Sequence, residues 1–242
     1  VASDRANDTL AIYAIDPDIL KLKDVTSVKM PDSIFGVDDG EATAYGLDAF
    51  TAADGTPYVF VTQAGGDKIA QLKLVEAGGK VSAELVQTLT LPNPEGLDPE
   101  ELQSEGIVID DTTGFGYVSV ESGGIWRFST DPASAPDFVE FVASDADFLT
   151  PDLEGLSIRY ADDGSRQLFV SSQGDSTFSV LDLDSGAFLG RFAVADGASI
   201  DGVEESDGLD IFSGPLGSAF PNGLLVVHDG SSEPQNVFPD PD

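Results

Sequence analysis

A short pattern recurs four times along the chain: a side chain bearing oxygen, then glycine, then an apolar strand. The copies are Ala44-Tyr45-Gly46-Leu47, Ser104-Glu105-Gly106-Ile107, Leu153-Glu154-Gly155-Leu156 and Ser206-Asp207-Gly208-Leu209. Each leads through an acidic or glycine-containing turn to a second apolar strand: Tyr58-Val59-Phe60-Val61, Tyr117-Val118-Ser119-Val120, Leu168-Phe169-Val170 or Leu224-Leu225-Val226-Val227. Short strands repeating at a period of roughly 50 residues mark a radially repeated all-β fold, the β-propeller. Equivalent positions in successive blades lie at equivalent places around one axis. Tyr45, Glu105, Glu154 and Asp207 are therefore expected to converge at one end of a central channel, and carboxylates held that close call for a cation.

Composition narrows which cation. The chain carries 44 Asp or Glu against 11 Lys or Arg, a formal net charge of −33, but 41% hydrophobic content and 15 Phe argue for a folded chain. The acidity is spread along the sequence; it suits solubility in saline or secreted surroundings and leaves room for divalent metal. Nucleic acid is a poor partner, because a phosphate backbone demands a basic face. There is no Cys and one His, His228, which excludes a thiolate site and disfavours histidine-rich zinc. Hard oxygen ligands remain, suited to Ca²⁺ or Mg²⁺. No stretch approaches the ~18 apolar residues of a membrane span, and no signal peptide is visible. The start at Val1 and the close on Pro239-Asp240-Pro241-Asp242 read as those of a processed or excised piece, and the expected organisation is a single propeller domain over 1–242, incomplete at both ends.

Strands are expected at Leu10 to Ile15, then in three full blades: 46–50, 58–62, 69–74 and 83–91; 106–109, 116–120, 125–128 and 138–142; 156–160, 167–171, 178–183 and 188–194. A fourth blade begins with 209–212 and 224–227 and runs out near Val237-Phe238. Asp98-Pro99-Glu100-Glu101 reads as a solvated loop, and Trp126, the single Trp, as blade packing.

From Leu102 onward the sequence resembles the β-propeller phytases, the calcium-dependent alkaline phytases of bacteria. The resemblance rests on Gln103-Ser104-Glu105-Gly106, Gly124-Ile125-Trp126-Arg127-Phe128-Ser129, Leu149-Thr150-Pro151-Asp152-Leu153-Glu154-Gly155-Leu156, Ser171-Ser172-Gln173-Gly174-Asp175 and Ser206-Asp207-Gly208-Leu209-Asp210. Upstream, Ala2-Ser3-Asp4-Arg5, Ile12-Tyr13-Ala14-Ile15-Asp16 and Ala44-Tyr45-Gly46-Leu47 fit as well. The resemblance implies a six-bladed propeller holding several Ca²⁺ ions, of which this chain supplies about four blades and a leading strand. It places Tyr45, Glu105, Glu121 and Glu154 on the catalytic calcium ligands and Asp152 and Gln173 on further ligands of that cluster. Asp201, Gly202 and Asp229 fall on a structural calcium site, and Asp207 lies near the axial calcium.

The chain also departs from the family. The opening blade with its Asp-Asp-Pro-Ala-x-Trp strand has no counterpart, nor does the Asn-Asn-x-Asp-x-Arg-Tyr segment, to which a phosphate-gripping arginine is ascribed, nor the closing Phe-Lys-x-Val-Pro-Trp segment. Where relatives place a phosphate-binding Lys after the second strand, this chain has Gln63-Ala64, with Lys68 nearby as the candidate substrate contact. The implied activity is hydrolysis of the phosphomonoesters of phytate or smaller inositol phosphates by metal-activated water, in a secreted protein, extracellular or periplasmic, that is a monomer or is completed by blades from elsewhere in its parent chain. Two alternatives stand beside it: a non-catalytic, calcium-stabilised propeller module of a larger secreted protein, and a calcium-dependent propeller lactonase or esterase.

Overall fold

The repeats fold as antiparallel meanders because apolar residues fall on both faces of their second and third strands, so each sheet must be covered on both sides. The computed structural model describes residues 1–37, 40–134, 137–198 and 200–231; the expected end of the fourth blade near Val237-Phe238 lies outside them. Two small sheets open the chain, β1 (Ala2–Asp4) with β2 (Thr9–Ala11), and β3 (Tyr13–Asp16) with β4 (Lys21–Asp24). Three four-stranded sheets follow in simple sequential order. They are β5 (Ala44–Thr51), β6 (Pro57–Gln63), β7 (Lys68–Ala77) and β8 (Lys80–Thr90); β9 (Ile107–Asp110), β10 (Phe115–Ser119), β11 (Ile125–Ser129) and β12 (Val139–Val142); and β13 (Leu153–Tyr160), β14 (Arg166–Ser172), β15 (Thr177–Asp182) and β16 (Phe188–Phe192). A hairpin of β17 (Leu209–Phe212) and β18 (Leu224–Val227) ends the described fold.

The sheets are propeller blades. Their first strands stand side by side, β5 against β9, β9 against β13 and β13 against β17, while their broad faces enclose separate cores. One core joins Phe50, Phe60, Ile69 and Leu89 of the first blade to Ile107, Ile109, Val118 and Phe128 of the second. The next joins Tyr117, Ile125 and Val142 to Leu156, Ile158, Leu168 and Leu181 of the third. Val59 and Val61, on the other face of the first blade, pack with Leu10, Ile34 and Ala44. Strand β6 is thus apolar on consecutive residues, Val59-Phe60-Val61 feeding two cores in turn, and each such buried side chain contributes about 1.5–3 kcal/mol. Trp126 packs against the first of these cores, as expected.

Besides the unexpected β1 and shifted strand ends, three departures from the sequence reading have a plain physical cause. The first expected strand is broken at Ile12, whose N–H donates to the Thr26 hydroxyl at 2.8 Å instead of to a strand. Strand β4, Lys-Leu-Lys-Asp, escapes the apolar pattern because none of its residues is buried. Asp98-Pro99-Glu100-Glu101, read as a solvated loop, is the cap and body of a 3₁₀ turn, Pro99–Leu102, with a capping box: the Asp98 N–H donates to Glu101 Oε2 at 2.9 Å, and the turn buries Leu102.

Candidate metal centre

The glycine of each repeat is where two blades meet. A Cβ at Gly46 would overlap the carbonyl oxygen of Glu105, and a Cβ at Gly106 would overlap that of Glu154. Gly155 donates its N–H to the Asp207 carbonyl at 2.7 Å. The inner strands are also bulged at the pattern: β5 shifts register between Ala44 and Leu47, and β13 between Leu153 and Leu156. A bulge sets two residues against one and re-aims a side chain; here the re-aimed residues are Tyr45 and Glu154.

The residues opposite carry hydroxyls that hold the junctions. The Thr62 hydroxyl accepts the Gly46 N–H at 3.0 Å. The Ser119 hydroxyl donates to the Glu154 carbonyl at 2.8 Å, and the Ser171 hydroxyl to the Ser206 carbonyl at 2.6 Å. All three hydroxyl residues are fully buried. Two residues beyond them stand Ala64, Glu121 and Gln173, so in the second and third blades a second repeat position supplies a polar group to the same end. A small hydroxyl residue at or next to the end of each second strand is the sequence signal for it.

These devices bring one carboxylate oxygen each of Glu105, Glu121 and Glu154 within 4.8 Å of one another. Glu154 is buried, 5% exposed, and its Oε2 has no hydrogen-bond partner. Burial, then its contact with Glu105 and the nearby charges of Glu121 and Asp152, pushes its carboxyl far above the usual range. Burial raises Glu121 too, against a hydrogen bond from Gln103 Nε2 to its Oε1 at 2.5 Å. Asp152 is raised by burial and by Glu105 and Asp207. Burial and a hydrogen bond to Glu105 raise the Tyr45 phenol. Gln173 donates to Asp207 Oδ1 at 2.6 Å, and Asp207 stands 3.4 Å from His228 Nδ1. An open cleft of about 620 Å³ adjoins the cluster, lined among others by Glu121, Asp152, Gln173, Glu101 and Glu205.

Asp201, Gly202 and Asp229 lie apart from this cluster. The Gly202 N–H donates to Asp196 Oδ1 at 2.9 Å and Asp201 Oδ1 at 3.1 Å, and Asp201, Asp229, Asp196 and Glu205 all act on the exposed Glu204, whose carboxyl is raised by desolvation and then by those charges. Lys68 begins β7, at the same end of its blade as Tyr45, but its ammonium is held by Asp67 Oδ1 at 2.8 Å and the Thr90 hydroxyl at 3.1 Å. Sequence reasoning missed Arg5, whose guanidinium carbon lies 4.5 Å from the centre of the Tyr45 ring. This places a cation beside the carboxylates.

The sequence carries the same signature throughout: a family model for phytases matches residues 1–237. The chain belongs to the phytase family. It is 31% identical over 236 residues to a 3-phytase of Bacillus subtilis (strain 168), covering 96% of this chain and 58% of that one. The phytase chain described here therefore spans a little over half the length of this curated relative. Among solved structures, a protein from Lactobacillus plantarum is similar over 83% of this chain and 51% of its own, with 16% identity and a TM-score of 0.49. The periplasmic gluconolactonase of Pseudomonas aeruginosa is similar over 76% and 47%, with 20% identity and a TM-score of 0.45.

The donor set of the phytase cluster fits a hard divalent cation. It is oxygen-only, drawn from separate blades, and contains a buried carboxylate oxygen with no proton donor. Among the described residues no helix is long and apolar enough to cross a membrane.

Proposed function

We propose that this chain hydrolyses phosphomonoesters of inositol phosphates, phytate among them, with calcium held at the blade ends. The observation that carries the proposal is the buried, unpartnered oxygen of Glu154 within a group of three carboxylates. Glu105, Glu121, Glu154, Asp152, Tyr45 and Gln173 would hold the calcium ions, and Asp201, Gly202 and Asp229 a structural ion, with Asp207 near the axis. Bound calcium would neutralise phosphate oxygens and lower the pKa of a water able to attack phosphorus.

The residues of the chain prepare that chemistry. Gln103 fixes the Glu121 carboxylate by donating to one of its oxygens. Arg5, stacked on Tyr45, offers a fork of N–H donors that suits a phosphate at the mouth of the cleft. It, and not the Asp67-bound Lys68, is the cation best placed for that contact. The 620 Å³ cleft is of the size that small ligands occupy. Because burial and crowding hold Glu154, Glu121 and Asp152 protonated to higher pH, metal binding must displace protons, and activity belongs at neutral to alkaline pH. Residues 1–242 act in this reading as one propeller domain of a secreted protein, whose acidity keeps it soluble.

The deciding experiment is phosphate release from calcium phytate at mildly alkaline pH, with and without a chelator. Chelator-sensitive release is expected. A folded chain that binds calcium but releases no phosphate would overturn the catalytic reading and leave a calcium-stabilised binding module.

A further inference from the structure

The proposed phosphate contact, Arg5, and the proposed metal ligand, Tyr45, are 40 positions apart in sequence and belong to different sheets. Something must hold them in register. Arg5 sits on a 3₁₀ turn, Arg5–Asn7, that links β1 to β2, and the residue closing that turn is Asp8. Asp8 is completely buried and adopts the left-handed conformation, with φ of 48°. An acidic side chain at such a position needs partners, and Asp8 has them on both oxygens. Its Oδ1 accepts the Ala44 N–H at 2.9 Å, one residue before Tyr45. Its Oδ2 accepts the Phe35 N–H at 2.6 Å, the Gly36 N–H at 3.1 Å and the Ser33 hydroxyl. The Asp8 carbonyl accepts the Ile34 N–H at 2.8 Å.

We propose that Asp8 is a positioning residue for phosphate binding: its carboxylate clamps the turn carrying Arg5 to the start of β5, and so sets the Arg5 guanidinium over the Tyr45 ring. The four donors approach from two directions, and a carboxylate is the side chain of that length that accepts on both oxygens. Asparagine keeps the shape and tolerates the left-handed backbone, but its amide nitrogen donates. Asp8→Asn must therefore abandon either Ala44 or the 33–36 loop, and the turn loses its fixed place on β5. The functional weight of this inference rests on the reading that Arg5 grips phosphate; the geometric claim stands without it.

The test separates the two. The Nε–Hε resonance of Arg5, assigned as the one lost in Arg5→Gln, is shifted upfield in the native chain by the Tyr45 ring. In Asp8→Asn that shift is expected to fall to its value in Tyr45→Leu, with the circular dichroism spectrum unchanged. In the calcium-loaded chain, Asp8→Asn is expected to raise KM for phytate about tenfold with kcat altered less than twofold, and to add less than twofold to the KM of Arg5→Gln. A retained ring-current shift, or full additivity of the two KM effects, overturns the proposal. If the native chain has no phytase activity, the functional reading falls, and the resonance alone decides whether Asp8 positions Arg5. Should Asp8→Asn fail to fold, Ser33→Ala removes one donor to Oδ2 and is expected to reduce the same shift in part; an unchanged shift there also overturns the proposal.

Discussion

Two groups of acids in this chain share a composition and differ in everything else. Glu105, Glu121 and Glu154 stand at the ends of paired strands, where bulges, buried hydroxyls and neighbouring carbonyls fix the backbone. Asp196, Asp201, Glu204 and Glu205 lie in the segment between β16 and β17 and meet Asp229 just after β18, and the Gly202 N–H is shared between two of their carboxylates. In the first group burial is the leading cause of the raised carboxyls of Glu121 and Glu154. In the second, desolvation also leads for Glu204, but the residue is exposed and water screens its acidic neighbours. The difference teaches that carboxylate number alone does not strain a site; the rigidity and dryness of what holds the carboxylates does, and the exposed group can take its proposed structural ion without that strain.

The sharpest way to break this comparison uses glycine. Gly106→Ala forces a methyl into the Glu154 carbonyl and the Ser119 hydroxyl, and should cost about 3 kcal/mol or more in urea unfolding. A Cβ at Gly208, the last copy of the pattern, meets nothing within 4 Å, so Gly208→Ala should stay within about 0.5 kcal/mol of the native chain. Equal losses at both positions would sink the close-approach account.

Glu154→Gln should weaken calcium binding at least about tenfold by calorimetry, whereas Glu204→Gln should change it by less than about twofold. The reverse order would assign the demanding site to the loops. Glu154→Gln should also raise the melting temperature of the chelated chain at neutral pH, because folding then forces a proton onto Glu154, a cost that glutamine does not carry.

The pH dependence of the metal-free chain sharpens the contrast further. Glu154, Glu121 and Asp152 have folded values above their unfolded ones, so the folded chain holds protons the unfolded chain gives up. Their contribution is fully present below the unfolded values and is lost as pH rises through the folded ones. Chelated protein should therefore melt lower at pH 8 than at pH 5, and calcium should remove the difference. Asp48 adds a smaller, separate step. Burial raises it to about 6 from 3.8, so Asp48→Asn should flatten the melting profile between those values by up to about 3 kcal/mol. A profile unchanged by the substitution would show that Asp48 does not titrate with folding.

Much of this was legible because the decisive signals are local. Gly46, Gly106 and Gly155 announce a close approach by being glycine before a strand, and the carboxylate or phenol beside each is carried along with it. The apolar second strands were legible for a similar reason, since Val59-Phe60-Val61 must be covered on two faces. Strand β4 was not, because Lys21-Leu22-Lys23-Asp24 is exposed throughout and carries no burial pattern. Lys68 looked available from its place near a strand end, but the neighbouring Asp67 and the cross-strand Thr90 engage it. Arg5 was missed although it lies in the family-like Ala2-Ser3-Asp4-Arg5 stretch, because nothing local ties it to Tyr45. Its meeting with Tyr45 depends on a hydrogen bond from Ala44 to Asp8, 36 positions away, and such a bond is written in topology rather than in spacing.

The carbonyls of Glu105 and Glu154 that abut Gly46 and Gly106 belong to the same residues whose carboxylates gather at the blade ends. Assembly and chemistry therefore share one set of peptide units. A nascent chain with only its first blade formed would possess no coordination sphere at all, and each blade that docks would add a vertex to it. Under the proposed calcium binding, ion capture would serve as a checkpoint on correct closure, and a slip at one junction would be read out as a lost ion before it was seen as a lost strand.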